Sequence, residues 1–156
     1  LQLLADNGYQ QYEVSAYCKE GNKSAHNMNY WKFGDYLGIG AGAHGKVTLL
    51  DEQRIIRTTK TRKPEDYLAR ENSYIASCNT IPKEELPLEF MMNTMRLNSG
   101  VPKQYFLERT GIPVGTIQSV LDKLQKLGLM EQERSNLIPT EKGHKFLNNL
   151  LEVFDE

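Results

Sequence analysis

Polar and apolar positions follow two different rhythms along this chain of 156 residues. Up to about residue 60 no long helical period develops. Leu1, Leu3, Leu4 and Ala5 outline the apolar side of a short opening helix, and Gly8 predicts its stop. Tyr12-Glu13-Val14-Ser15-Ala16-Tyr17 mixes alternation with β-forming residues and predicts one strand. After a polar loop at Gly21 to Ser24, the run from Asn27 to Phe33 predicts a short helix ended by Gly34. Tyr36 to Ala41 reads as a buried strand of small residues. Lys46–Leu50 and Arg54–Thr58, with Asp51-Glu52-Gln53 between them, read as a hairpin.

Beyond residue 60 the rhythm becomes helical. Pro64 marks a helix start, with Tyr67, Leu68, Tyr74 and Ile75 as its apolar face. Leu88, Met91, Met92 and Met95 mark a second helix, and Pro102 is expected in the first turn of a third that Gly111 stops. Ile117, Val120, Leu121, Leu124 and Leu127 keep the cleanest 3.6-residue spacing, closed by Gly128. Leu129–Glu133 and Leu137–Ile138 suggest a two-stranded wing. Thr140 is the expected N-cap of a last helix carrying Phe146, Leu147, Leu150, Leu151 and Phe154. The pattern is α+β, with a sheet-forming part at 1–60 and a helical, winged-helix-like part at 61–156.

A handful of short strands in about sixty residues buries too little surface to stand alone. The first part is therefore expected to complete a sheet whose other strands lie elsewhere. The opening residue is Leu1 rather than Met, which suggests a longer parent. Exposed sheet edges would permit pairing between copies, a route to a homo-oligomer.

Composition narrows the function. The net charge is -1 and 39% of residues are hydrophobic, so nothing global favours a polyanion. Between Leu86 and Glu156 eight basic residues face nine acidic ones, which argues against the DNA-binding role that a winged helix invites. No apolar run of about 18 residues predicts a transmembrane helix, and no signal-peptide pattern opens the chain. Cys18 and Cys78 are far apart, so neither a disulfide framework nor a zinc site is expected, and a reducing cytoplasm fits.

Three features bear on chemistry. Gly40-Ala41-Gly42-Ala43-His44-Gly45 matches G-x-G-x-x-G, but the β-like Lys46–Leu50 follows where a dinucleotide fold needs a helix. Tight strand packing or close approach to a flat ligand explains the glycines better. His26, in His26-Asn27-Met28-Asn29-Tyr30-Trp31, reads either as a packing histidine or as a heme ligand with Tyr30 and Trp31 stacked nearby. His144 reads as solvated. No nucleophile–base pair or metal cluster can be assembled, so no catalytic or metal-binding residue is assigned.

Gly8 to Tyr17 and His26 to Gly45 are similar to two segments of the coproporphyrinogen-dehydrogenase-like radical S-adenosylmethionine (SAM) proteins. The H-N-x-x-Y-W signature resembles the heme-chaperone branch more than the oxidase branch. Gly100-Val101-Pro102 and Thr140-Glu141-Lys142-Gly143 resemble that family's C-terminal domain. The resemblance implies the closing βα elements of an incomplete TIM-like barrel at 1–60, followed by the winged-helix-like domain. Full-length members hold a [4Fe–4S] cluster through C-x-x-x-C-x-x-C and use SAM, and the chaperones pass heme to acceptor proteins. That cysteine motif is absent here, so the fragment itself is expected to bind no cofactor and to lack radical chemistry. By motif, His26 would be the heme contact beside Tyr30 and Trp31. Gly40, Ala41 and Gly42 would lie at the SAM pocket of an intact barrel. The alternatives are part of a true oxygen-independent coproporphyrinogen III oxidase and a winged-helix nucleic-acid binder.

Overall fold

The computed structural model of the chain describes residues 2–154; Leu1 of the predicted opening helix lies outside them. In chain order the elements are α1 (Gln2–Asp6), β1 (Gln10–Glu13), β2 (Ala16–Cys18), α2 (Ala25–Trp31), β3 (His44–Leu49) and β4 (Arg54–Lys60). Then come α3 (Pro64–Leu68), β5 (Ile75–Thr80), α4 (Leu86–Thr94), β6 (Val101–Pro102) and α5 (Gln104–Thr110). A 3-10 turn (Val114–Ile117), α6 (Gln118–Lys126), β7 (Asn136–Leu137), α7 (Glu141–Lys145) and α8 (Leu147–Glu152) complete the chain. The strands form three antiparallel sheets, β1-β2, β3-β4-β5 and β6-β7, and no closed barrel is present among the described residues.

Two compact units result. One takes the chain up to Phe33 and again from Leu86; the other is Gly34–Glu85. Contacts thus divide the chain at different points from the change of rhythm near residue 60.

In the first unit Phe90 of α4 is fully buried and meets Phe33 and Phe106 edge-on at 5.6 and 5.3 Å. Such ring pairs contribute about 0.5–1.5 kcal/mol each beyond the area they bury. Met91, Met95, Leu121, Leu124, Leu137 and Leu150 fill the same core, while Met92 is left half exposed. The single strand expected over Tyr12–Tyr17 is instead a hairpin. The Glu13 carboxylate accepts from the Ser15 amide at 2.8 Å and the Ser15 hydroxyl at 3.1 Å, which turns the chain back after β1. The hairpin then docks on the segment after α4. Val14 N–H donates to the Arg96 carbonyl and Asn98 N–H donates to the Tyr12 carbonyl.

Pro102 does not open a helix. Gly100, at φ 58, lies so close to the Leu137 carbonyl that a Cβ would collide with it, and this contact pulls Val101–Pro102 into β6 against β7. The wing reduces to one bridge, Met130 with Pro139, because Asn136–Leu137 pairs with β6 instead. Thr140 caps α7 as expected, its Oγ accepting the Gly143 N–H at 2.9 Å. The last helix is interrupted at Phe146, whose φ of -114° and ψ of 45° are not helical, so Phe146 turns outward while Leu150 and Val153 are buried.

In the second unit β3 and β4 form the expected hairpin, in register Val47 with Ile56. Tyr74 and Ile75 do not extend α3. Its end at Leu68 releases the chain, and Ile75 begins β5 along β4, with Tyr74 stacked on Tyr67 at 4.5 Å. Tyr36–Ala41 is not a buried strand. Only Tyr36 bridges, to Lys46, and Leu37 and Ile39 are 79% and 89% exposed. Positive φ at Gly40 and Gly42 returns this loop to the start of β3, and Gly38 sits against the His44 backbone where a Cβ would clash.

Candidate functional site

The α2 helix places the first set of predicted site residues. Ser24 caps it, its Oγ accepting the Asn27 N–H at 3.3 Å. His26 and Tyr30 are one helical turn apart, hence on one face, and both are exposed. Trp31 points the other way: it is buried and meets Tyr12 of β1 edge-on at 5.8 Å. Phe33 ends the segment in the left-handed region at φ 59, a conformation costing a non-glycine residue about 1–2 kcal/mol, and its fully buried ring against Phe90 offsets that strain. Burial of Trp31 and Phe33 thus fixes α2 from behind while His26 and Tyr30 face outward.

Gly40, Ala41 and Gly42 lie in the other unit. Gly42 N–H donates to the Thr61 carbonyl and Lys60 N–H to the Ala43 carbonyl, both at 2.8 Å, so this turn is clamped to the end of β4. Gly45 faces the Thr58 hydroxyl so closely that a Cβ would stand 2.7 Å from it. The strand β3, not a helix, follows the glycines, which removes the dinucleotide reading. His26, Tyr30 and Trp31 on one side and Gly40–Gly42 on the other therefore belong to separate units.

Asp35 and Lys46 form a pair that the sequence did not announce. The Lys46 side chain is 2% exposed, with Nζ 3.1 Å from Asp35 Oδ1. Burial acts to raise the Asp35 carboxyl. Hydrogen bonds from the Thr48 amide and hydroxyl, and the Lys46 ammonium, outweigh burial and hold it below the ordinary aspartate range. A second such pair is Glu13, fully buried, with Arg96 Nε 2.5 Å from its Oε1. The two residues stand 83 positions apart, so no local pattern could join them. His144 is half-buried rather than freely solvated, and its Nε2 is buried without a hydrogen-bond partner among the described residues.

The later motifs prove to be joints. Thr140 Oγ donates to the Gly128 carbonyl at 2.7 Å and Lys142 Nζ to the Leu127 carbonyl at 3.0 Å, while Gly143 lies against the Leu129 carbonyl with no room for a Cβ. They lock α7 onto the end of α6.

Comparison with known proteins agrees with this anatomy. The HemN C-terminal domain family matches residues 81–146. Heme chaperone HemW of Escherichia coli is 46% identical over 153 residues, covering 98% of this chain and 40% of the relative. Its Haemophilus influenzae counterpart is 47% identical over 154 residues, covering 98% and 39%. A solved structure of the E. coli radical SAM coproporphyrinogen III oxidase HemN superposes with a TM-score of 0.64 at 14% identity, over 99% of this chain and 38% of that one. The mixed α/β fold is thus that of the coproporphyrinogen-oxidase-like radical SAM proteins, and the chain carries their C-terminal domain. Over nearly its whole length it is similar to the corresponding part of the heme-chaperone HemW relatives. It spans about 40% of the length of those relatives.

Proposed function

We propose that this chain is the C-terminal portion of a heme-trafficking radical SAM protein, contributing to heme capture but not to radical chemistry. The exposed His26–Tyr30 face of α2 carries the reading. An outward imidazole one turn from a phenol suits a flat, iron-bearing cargo: the imidazole offers a nitrogen to iron and the aromatic ring offers a stacking surface. Trp31 serves from behind, holding the helix against Tyr12. Residues 1–60 are read as the closing part of an incomplete barrel and residues 61–156 as a winged-helix-like appendage.

The fit of the other family cofactors differs. Among the described residues no three His, Cys, Asp or Glu side chains are grouped to hold a metal, and Cys18 and Cys78 are single free thiols. The iron–sulfur cluster does not fit the described residues of this chain. Gly40, beside which a Cβ would meet open space, with Ala41 and Gly42, suits the wall of a SAM pocket in a complete barrel; SAM bound to a cluster supplies a radical initiator. No helix among the described residues is long and apolar enough to cross a membrane, and free thiols fit a reducing, cytoplasmic setting.

The test is heme titration of the intact protein followed by absorption spectroscopy. His26 is exposed, so His26→Ala leaves the fold intact. The variant is expected to bind heme more weakly and to shift the Soret band. An unchanged band position and affinity would reject His26 as the ligand.

A further inference from the structure

The Gly34–Glu85 unit holds an open recess of about 810 Å³ with one-sided charge. Its walls are Gly42, His44, Thr59, Lys60 and Arg62 with two alanines, Ala41 and Ala76, and they include no acidic residue. Lys46 pairs with Asp35, Arg54 with Glu52 and Thr80, and Arg70 with the Ser73 and Ile75 carbonyls, while Lys63 and Lys83 are exposed outside the recess. The side chains of Lys60 and Arg62 have no hydrogen-bond or ion-pair partner among the described residues. Between them, the Thr61 hydroxyl is buried and likewise unpartnered.

The frame around these groups is set. The two 2.8 Å backbone hydrogen bonds, Gly42 to Thr61 and Lys60 to Ala43, tie both walls together. The Arg62 stem lies 3.8 Å from where a Gly42 Cβ would stand, so the glycine turn and Arg62 are packed at van der Waals distance. Two like charges lining one recess repel until a counter-charge arrives. A guanidinium and an ammonium together match an oxyanion, the guanidinium through its planar fork and the ammonium as a point charge. The recess falls in the size range of small-molecule sites, roughly 300–1,000 Å³.

We infer that this recess binds a small organic oxyanion, a carboxylate or a phosphate ester, through Lys60, Arg62 and His44. The inference stands on this unit alone and does not use the heme reading; the recess shares Ala41 and Gly42 with the SAM-pocket wall proposed above, but Lys60, Arg62 and His44 are no part of that reading.

Calorimetric titration of the intact protein with pyrophosphate and, separately, with tricarballylate tests it. At least one probe is expected to bind, with affinity that falls as salt is raised. Lys60→Gln/Arg62→Gln should weaken binding about tenfold or more, as the loss of charge-assisted contacts requires. Lys83→Gln, an exposed lysine outside the recess, should leave binding unchanged. Pyrophosphate binding alone assigns a phosphate ligand and tricarballylate binding alone a carboxylate. If the double variant fails to fold, Arg62→Gln at its exposed position gives the same comparison. No binding of either probe at millimolar concentration, or equal affinity in wild type and variant, overturns the inference.

Discussion

Replacing Arg96 with Met isolates one long-range interaction. Glu13 is fully buried, and its two oxygens divide their partners: Oε1 takes Arg96 at 2.5 Å, Oε2 takes the Ser15 amide and hydroxyl. Arg96→Met leaves a buried carboxylate with Ser15 alone. Stripping one partner from a buried pair costs about 3–5 kcal/mol. The Arg96 side chain is 35% exposed, so water screens part of the attraction and about 2–3 kcal/mol is the expected loss. With a urea dependence of roughly 1–3 kcal/mol per molar, the midpoint should fall by about 0.7–3 M. Trp31 packs on Tyr12 beside β1, so its fluorescence reports opening of the hairpin directly. Glu13→Gln should cost about 1–2 kcal/mol, because it keeps the shape while removing the charge. The double variant should cost clearly less than the two singles added. A midpoint shift under about 0.3 M for Arg96→Met, or strict additivity in the double, would show that the pair contributes little.

Two further outcomes follow from other contacts. The Asp35 carboxyl is depressed, so its contribution to stability is fully present above the ordinary value of 3.8 and is lost as pH falls through the depressed folded-state value. Asp35→Asn should flatten that acid limb in a pH series of thermal melts, and an unaltered acid limb would contradict it. Gly143→Ala pushes a methyl group into the Leu129 carbonyl and should destabilise by about 2 kcal/mol or more, whereas Thr140→Ala, losing a cap, should cost about 1 kcal/mol. Melting temperatures that rank the two in the opposite order would refute the joint at α6–α7.

What could be read from the sequence was local. The stripe of Ile117, Leu121 and Leu124 set α6, Thr140 announced its own capping role, and the β3–β4 hairpin followed from two short runs of β-formers. What escaped reading depended on distant partners. Glu13 turns the chain because its carboxylate holds the Ser15 amide, and Gly100 makes a strand because Leu137 lies against it. Leu37 and Ile39 read as buried because they are apolar, yet the glycines around them bend the chain outward. At the candidate site, the i, i+4 spacing of His26 and Tyr30 puts them on one helix face, but that this face is the exposed one depends on Trp31 packing against Tyr12 from another element. The cation pair Lys60 and Arg62 gave no warning, because nothing in a sequence tells which charges lack partners.

The hairpin of β1 and β2 has a temporal consequence. Its carboxylate waits for a guanidinium 83 positions later. At roughly 5–20 residues per second of translation, that interval is about 4–17 s on the ribosome. During it the nascent hairpin has neither its charge partner nor the helices that cover Trp31. Holding chaperones have that interval to act on this stretch before Arg96 is made, and a slowed codon run between the two would lengthen it.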